Sequence, residues 1–260
     1  MHPGLAQLSS MKQRGEKIAM LTAYDYPTAR LLDEGGIDLL LVGDSLGMVV
    51  LGYPDTTLVS LAEMLHHTRA VARGVKRAGI LADLPINTFN TPEQAVDTSR
   101  ELVAAGAHAV KLEGGASHVA QVKAISEAGI SVMAHIGMQP QRVRIEGGYR
   151  IKGKTPEEAD ALMRDARAAE NAGAFGLLLE LVQPDTARRI TETSRIPTIG
   201  IGSGVDCDGQ VLVTHDLIGL FPWFRPKFAK PAADVAGQMN AALREYLHRV
   251  KSPVERAALE

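Results

Sequence analysis

Three acids, a lysine, a histidine and a solitary glutamate recur at one kind of place in this chain, the end of a short apolar run. Asp44 and Ser45 close IDLLLVGDS (37–45), and Asp83 falls near the end of GILADLP (79–85). Lys111 and Glu113 stand two apart in HAVKLEGG (108–115), His135 lies near the end of ISVMAHIGM (130–138), and Glu180 follows three leucines in FGLLLELV (175–182). Asp44, Asp83 and Glu113 are hard oxygen donors of the kind that hold Mg2+, an ion that keeps positions open for water and substrate oxygens. No histidines are interleaved with them at zinc spacing. Lys111 adds a cation suited to an anionic substrate. A carboxylate among leucines has its pKa raised by desolvation, which suits a general base. Together these residues point to a metal-chelated oxyacid, with Glu180 removing a proton next to a carbonyl.

Such residues must be brought together by the elements that carry them. Each apolar run is too short for a buried helix and suits a strand covered on both faces. Eight such runs are expected: 18–25, 37–45, 79–85, 108–115, 130–138, 175–182, 196–204 and 211–219. Helical segments separate most of them. Ser60 and Glu63 form a capping box, and Thr91-Pro92-Glu93-Gln94 and Thr155-Pro156-Glu157-Glu158 are helix starts with the proline at the first helical position. A leading helix within 1–17, a closing amphipathic helix over 231–250 and a loose tail after about residue 252 complete the expectation. Alternating β and α elements imply a parallel sheet, and eight repeats in 260 residues imply one closed (β/α)8 barrel domain over 1–260. A doubly wound open sheet would carry a glycine-rich turn after its first strand; here the turn reads AYDYPT.

In a barrel the C-terminal strand ends carry the chemistry. They also include Tyr24, Asp25, Ser203, His215 and Asp216. Lys111 and Glu113, two apart on one strand, share a face directed into the barrel, while Val110 and Leu112 face the helices. Each residue has a blander reading. Asp44 or Asp83 alone would serve equally well as a helix cap, although the helix after Asp83 already has Thr91. Lys111 and Glu113 would also make a structural ion pair, at a cost if buried without a ligand. Glu180 could pair with a nearby cation, and His135 is as well suited to a neutral hydrogen-bonded role as to catalysis. The GIGSG turn (200–204) fits a phosphate site or a tight turn.

Bulk properties narrow the field. Net charge is −2 with both signs dispersed, and no basic run marks a nucleic-acid surface. The longest apolar runs, about five to seven residues, fall far short of a membrane span. The N-terminal stretch has no apolar core of a secretory signal. The single cysteine, Cys207, makes an internal disulfide impossible. The expectation is a cytoplasmic protein acting on small molecules.

The same stretches resemble one family. LTAYDYPTA (21–29), LLVGDSLGM (40–48), LADLP (81–85), TPEQA (91–95), VKLEGG (110–115), AHIGMQPQ (134–141), GGYRIKGKT (147–155), GIGSG (200–204), DGQVLV (208–213) and PKFAK (226–230) are similar to the signature blocks of the ketopantoate hydroxymethyltransferases, in the same order. The resemblance implies a (β/α)8 barrel of the phosphoenolpyruvate/pyruvate-like superfamily. It implies transfer of a one-carbon unit from 5,10-methylenetetrahydrofolate to 3-methyl-2-oxobutanoate, giving 2-dehydropantoate for pantothenate and coenzyme A synthesis. It places the Mg2+ ligands on Asp44, Asp83 and Glu113, and the oxo acid contacts on Asp44, Ser45, Asp83 and Lys111. It places the proton acceptor on Glu180 and a substrate-side histidine on His135. It also implies a homo-oligomer, commonly a decamer. The main departure is INTFN (86–90), where the family often carries smaller residues; it bears on the shape of the pocket. The alternatives are a Mg2+-dependent 2-oxo acid C–C lyase of the same superfamily and a silent barrel serving as a binding protein.

Overall fold

Eight parallel strands close on themselves in sequence order, each paired with its neighbour and β8 pairing back to β1. The structure is a computed structural model, and it describes residues 2–252. The expected loose tail therefore lies outside the described residues. The strands are β1 Ile18–Thr22, β2 Leu39–Val42, β3 Gly79–Asp83, β4 Ala109–Glu113, β5 Val132–Gly137, β6 Gly176–Glu180, β7 Thr198–Ile201 and β8 Gly209–Leu212. The helices are α1 Pro3–Arg14, α2 Tyr26–Glu34, α3 Leu46–Val49, α4 Leu61–Gly74, α5 Pro92–Ala104, α6 Val119–Glu127, α7 Val143–Glu146, α8 Pro156–Asn171, α9 Pro184–Thr193, α10 Thr214–Leu217 and α11 Val235–Lys251. Among the described residues no helix is long and apolar enough to cross a membrane.

The chain divides into two compact units, Met1–Leu212 and Val213–Glu260, and every strand lies in the first. The period-two alternation of the strands sorts their side chains into two cores. Ile18, Met20, Leu39, Leu41, Leu81, Ala109, Met133, Leu178, Ile199 and Val211 fill the barrel interior together with Leu5 and Leu8 of α1. The residues between them, among them Leu40, Val42, Ile80, Ala82, Val110, Leu112, Ala134, Ile136, Leu177 and Leu179, pack with apolar side chains of the surrounding helices. Helix α1 meets the start of β3, where a Cβ on Gly4 would lie 2.7 Å from the Gly79 nitrogen, so the helix closes the N-terminal end of the barrel.

The helix starts obey local chemistry. Ser60 and Glu63 make the reciprocal capping box of α4. Thr91 caps α5 through the Gln94 N–H, and Thr155 caps α8 through the Glu158 N–H. Asp25 likewise caps α2, accepting from the Thr28 N–H at 2.8 Å. Strand one therefore ends at Thr22, not at Asp25, and Asp25 belongs to a helix start. Strand eight also differs from expectation. It ends at Leu212, and His215 and Asp216 lie on α10 in the second unit. A continuous apolar run such as VLVTHDLIG has no period of its own, so it does not mark where pairing with β1 stops. The long segment 139–154 is not featureless: it holds a 3-10 turn, Pro140–Arg142, and then α7.

Candidate active site

The inward parity of the strands continues to their C-terminal ends, and there the apolar filling gives way to polar groups. Asp83 follows Leu81, Lys111 and Glu113 follow Ala109, His135 follows Met133, and Glu180 follows Leu178. Register then sets Asp83 beside Lys111 and Glu113 beside His135 on adjacent strands. Asp44 arrives differently, from the turn after β2, and its backbone N–H donates to Asp83 Oδ2 at 3.1 Å. Asp44, Asp83, Lys111, Glu113 and His135 are all buried.

Lys111 is the hub. Its Nζ lies 3.0 Å from Asp83 Oδ1 and 3.2 Å from His135 Nδ1. An ammonium only donates, so His135 Nδ1 carries the lone pair and the ring proton is assigned to Nε2. That nitrogen lies 3.4 Å from Glu180 Oε2, and Nδ1 lies 3.7 Å from Glu113 Oε1. Burial, then the charge of Lys111, holds the imidazole well below its ordinary pKa, so His135 is neutral at pH 7. Burial alone would lower Lys111, but Asp83, Glu113 and Asp44 outweigh it and hold the ammonium above its ordinary value.

The carboxylates are crowded. Burial and the charge of Asp83 push Asp44 up to about 7, against Lys111 and a hydrogen bond from Gln141. Burial and Asp44 hold Glu113 well above the usual carboxylate range. Burial pushes Glu180 up to about 7, with Lys111 opposing. Among the described residues Glu180 forms no ion pair with a lysine or arginine, so the salt-bridged reading does not apply to it. Capping fails for Asp44 and Asp83 as well: α3 has no side-chain cap, and α5 is capped by Thr91.

The donors fit a divalent cation in kind. All are hard oxygens, and Glu113 Oε1 is buried without a hydrogen bond, the state of an oxygen that awaits a cation or a ligand proton. As the side chains stand, no three His, Cys, Asp or Glu among the described residues are grouped closely enough to hold a metal ion. Asp83 is turned to Lys111, and Asp44 to Gln141.

Two further residues shape the site: Tyr24, one of the polar strand ends read from the sequence, and Gln141, which the sequence does not single out. Tyr24 is buried and its hydroxyl lies 2.8 Å from Ser45 Oγ, holding that side chain. Gln141, in the turn after β5, reaches both Asp44 and Glu113. The QPQ block at 139–141 was visible, but nothing in its spacing shows that the turn folds inward. Ser203, by contrast, is committed to the backbone. It donates to the Leu179 carbonyl and accepts from the Val182 N–H, and Gly202 and Gly204 have φ of 62° and 84°. GIGSG thus behaves as a tight turn. In the INTFN segment Phe89 is buried and meets His118 edge-on, with ring centroids 5.4 Å apart, so its bulk goes into the helix layer. Gly137 is required where it stands: its φ is 96°, and a Cβ would lie 2.3 Å from the Glu180 carbonyl oxygen.

A closed parallel barrel with four carboxylates gathered at its C-terminal mouth around one buried lysine defines a (β/α)8-barrel enzyme. The fold is shared with solved structures, one of them a 2,3-dimethylmalate lyase of the PEP mutase/isocitrate lyase superfamily, with a TM-score of 0.60 at 18% identity over 96% of this chain and 88% of that one. A putative phosphonomutase from Burkholderia cenocepacia J2315 superposes with a TM-score of 0.68 at 18% identity, over 94% of this chain and 98% of that one. A phosphonopyruvate hydrolase, crystallised with oxalate and Mg2+, superposes with a TM-score of 0.65 at 16% identity, over 96% of this chain and 87% of that one. At such identity the likeness is one of fold.

Sequence comparison is more specific. The family model described as ketopantoate hydroxymethyltransferase matches residues 4–254. The 3-methyl-2-oxobutanoate hydroxymethyltransferase of Moorella thermoacetica is 51% identical over 249 residues, 95% of this chain and 93% of that protein. That of Ignicoccus hospitalis is 52% identical over 241 residues, 92% of this chain and 91% of that protein. The chain belongs to the ketopantoate hydroxymethyltransferase family. It is a transferase, and the C–C lyase reading is set aside.

Proposed function

We propose that the barrel mouth binds 3-methyl-2-oxobutanoate and that its C3 receives a hydroxymethyl group from 5,10-methylenetetrahydrofolate, giving 2-dehydropantoate, the first step of pantothenate biosynthesis. The observation that carries the mechanism is Glu180: an inward carboxylate at a strand end, held up to about 7 by burial and without a lysine or arginine partner among the described residues. That is the environment of a base matched to neutral pH.

Asp44, Ser45, Asp83 and Lys111 take the oxo acid, with Ser45 held by Tyr24. Asp44, Asp83 and Glu113 would hold a Mg2+ ion, which when bound supplies Lewis acidity to the 2-oxo acid. Lys111 balances the charge of the bound anion. Glu180, deprotonated, takes the C3 proton, and the electron pair of that bond moves toward the keto group. Neutral His135, proton on Nε2, stands beside the base with that nitrogen 3.4 Å from Glu180 Oε2. The methylene carbon loses its bonds to the two folate nitrogens and gains one to C3 and one to a water oxygen; the C3 proton and one water proton end on the two nitrogens of the departing tetrahydrofolate. A cytoplasmic setting and a homo-oligomer, with a decamer as the size to test by sedimentation, accompany this reading.

Proton exchange tests it. In D2O with Mg2+ and no folate, the enzyme should wash deuterium into C3 of 3-methyl-2-oxobutanoate, followed by proton NMR. Glu180→Gln should slow exchange by about 10²-fold or more while oxo acid binding persists. Exchange at the wild-type rate in that variant would remove Glu180 as the base. Formation of 2-dehydropantoate on adding methylenetetrahydrofolate tests the transfer itself.

A further inference from the structure

Gln141 touches the ends of three strands at once. It sits in the 3-10 turn that follows β5 and is 5% exposed. Its Nε2 donates to Asp44 Oδ2 at 2.8 Å, just past β2, and to the Leu84 carbonyl at 3.0 Å, just past β3. Its backbone N–H donates to Glu113 Oε2, at the end of β4, at 3.0 Å. The orientation of the amide follows from its partners. A backbone carbonyl only accepts, and a carboxylate accepts when ionised, so the nitrogen faces them and both its hydrogens are used.

The effect on the acids is specific. Asp44 Oδ2 and Glu113 Oε2 are each held by one donor from a single residue. Glu113 Oε1 stays buried and without a hydrogen bond. A glutamine that merely tied down the segment 139–154 would be satisfied by the Leu84 carbonyl. It would have no need to spend its second amide hydrogen on the Asp44 carboxyl group.

We infer that Gln141 is a positioning residue, whose side-chain amide fixes one oxygen of Asp44, beside a Glu113 oxygen held by its backbone N–H, so that the remaining carboxylate oxygens are presented to a divalent cation and its oxo acid. The inference rests on the metal reading proposed above and adds to it a residue that touches the ligands rather than the ion. Partners of this kind hold metal ligands in orientation, and their loss weakens metal binding by about tenfold to a hundredfold.

The test measures binding of Mn2+ alone to the full-length protein, by the electron paramagnetic resonance of the free ion, with circular dichroism melts alongside. Gln141→Met keeps the side-chain length and removes both amide donors. Gln141→Asn keeps the amide but draws it back by one methylene, and it carries the test should the methionine variant not fold. The expected result is that wild type binds Mn2+ and both folded variants bind at least tenfold more weakly. In the exchange assay the same loss should appear as a higher Mg2+ requirement. Wild-type binding with both variants within twofold of it would overturn the role of Gln141 and leave the metal reading intact. Absence of Mn2+ binding by wild type would overturn the metal reading and this inference together.

Discussion

Glu180 owes its character to burial. Removing water from a carboxylate disfavours its charged form, and Lys111 offsets only part of that effect. A base works when deprotonated, so kcat/KM for C3 exchange should rise about tenfold per pH unit below about 7 and level off above it. A profile flat between pH 5 and pH 8 would count against Glu180. At this scale the sequence was informative where alternation alone decides direction. Lys111 and Glu113 are two apart, so one inward side chain implies the other. It was silent on Gln141 and on the partner of Tyr24, because those contacts join residues 97 and 21 positions apart in the chain. It also left open whether Asp25, Asp44 and Asp83 cap helices; three-dimensional placement makes Asp25 a cap and draws the other two into the site.

Among the elements, α1 has the least obvious task. It carries none of the site residues, yet Leu5 and Leu8 are buried with the interior side chains of the strands. It closes the end of the barrel opposite the chemistry, where exposed strand interiors would otherwise meet water. Leu8→Ala should cost about 2–5 kcal/mol of stability and leave kcat for exchange unchanged at 25 °C, as read from denaturant unfolding and the NMR assay. A stable variant would show that α1 is dispensable to the core. The helix starts were legible because caps are local: a hydroxyl accepting an N–H three residues on is written in the spacing of Ser60 and Glu63, or Thr91 and Gln94. The end of strand eight was not, because a strand stops where its neighbour stops pairing, and β8 follows β1 only through Leu212.

For the whole molecule, gathering four carboxylates around one lysine ties stability to pH. Asp44 and Glu180 stand at about 7 and Glu113 is held well above the ordinary carboxylate range, all above their values in an unfolded chain. The folded state therefore binds more protons than the unfolded one, and stability is lost as pH rises through these values. His108 and His135, held low by burial, act in the opposite direction, but only below the ordinary histidine pKa. Between pH 6.5 and pH 8 the carboxylates dominate. The metal-free protein should melt at a lower temperature as pH rises through about 7 and level off above it, and Glu180→Gln should weaken the trend. Added Mg2+ should reverse it, since a cation replaces the protons the site otherwise holds. Melts that stay level from pH 6.5 to pH 8 would mean that these acids are ionised and otherwise compensated.

Alternation, run length and caps are local properties, and they determined the parallel barrel, the order of its elements and the inward acids at the strand ends. The signature blocks carried the family. Only the closed barrel decided which of those ends meet: register places Asp83 beside Lys111 and Glu113 beside His135. The turn after β5 then brings Gln141 across the mouth to Asp44. Contacts of that kind join residues far apart in the chain, and their energies depend on burial and mutual charge, which exist only after the ring has closed.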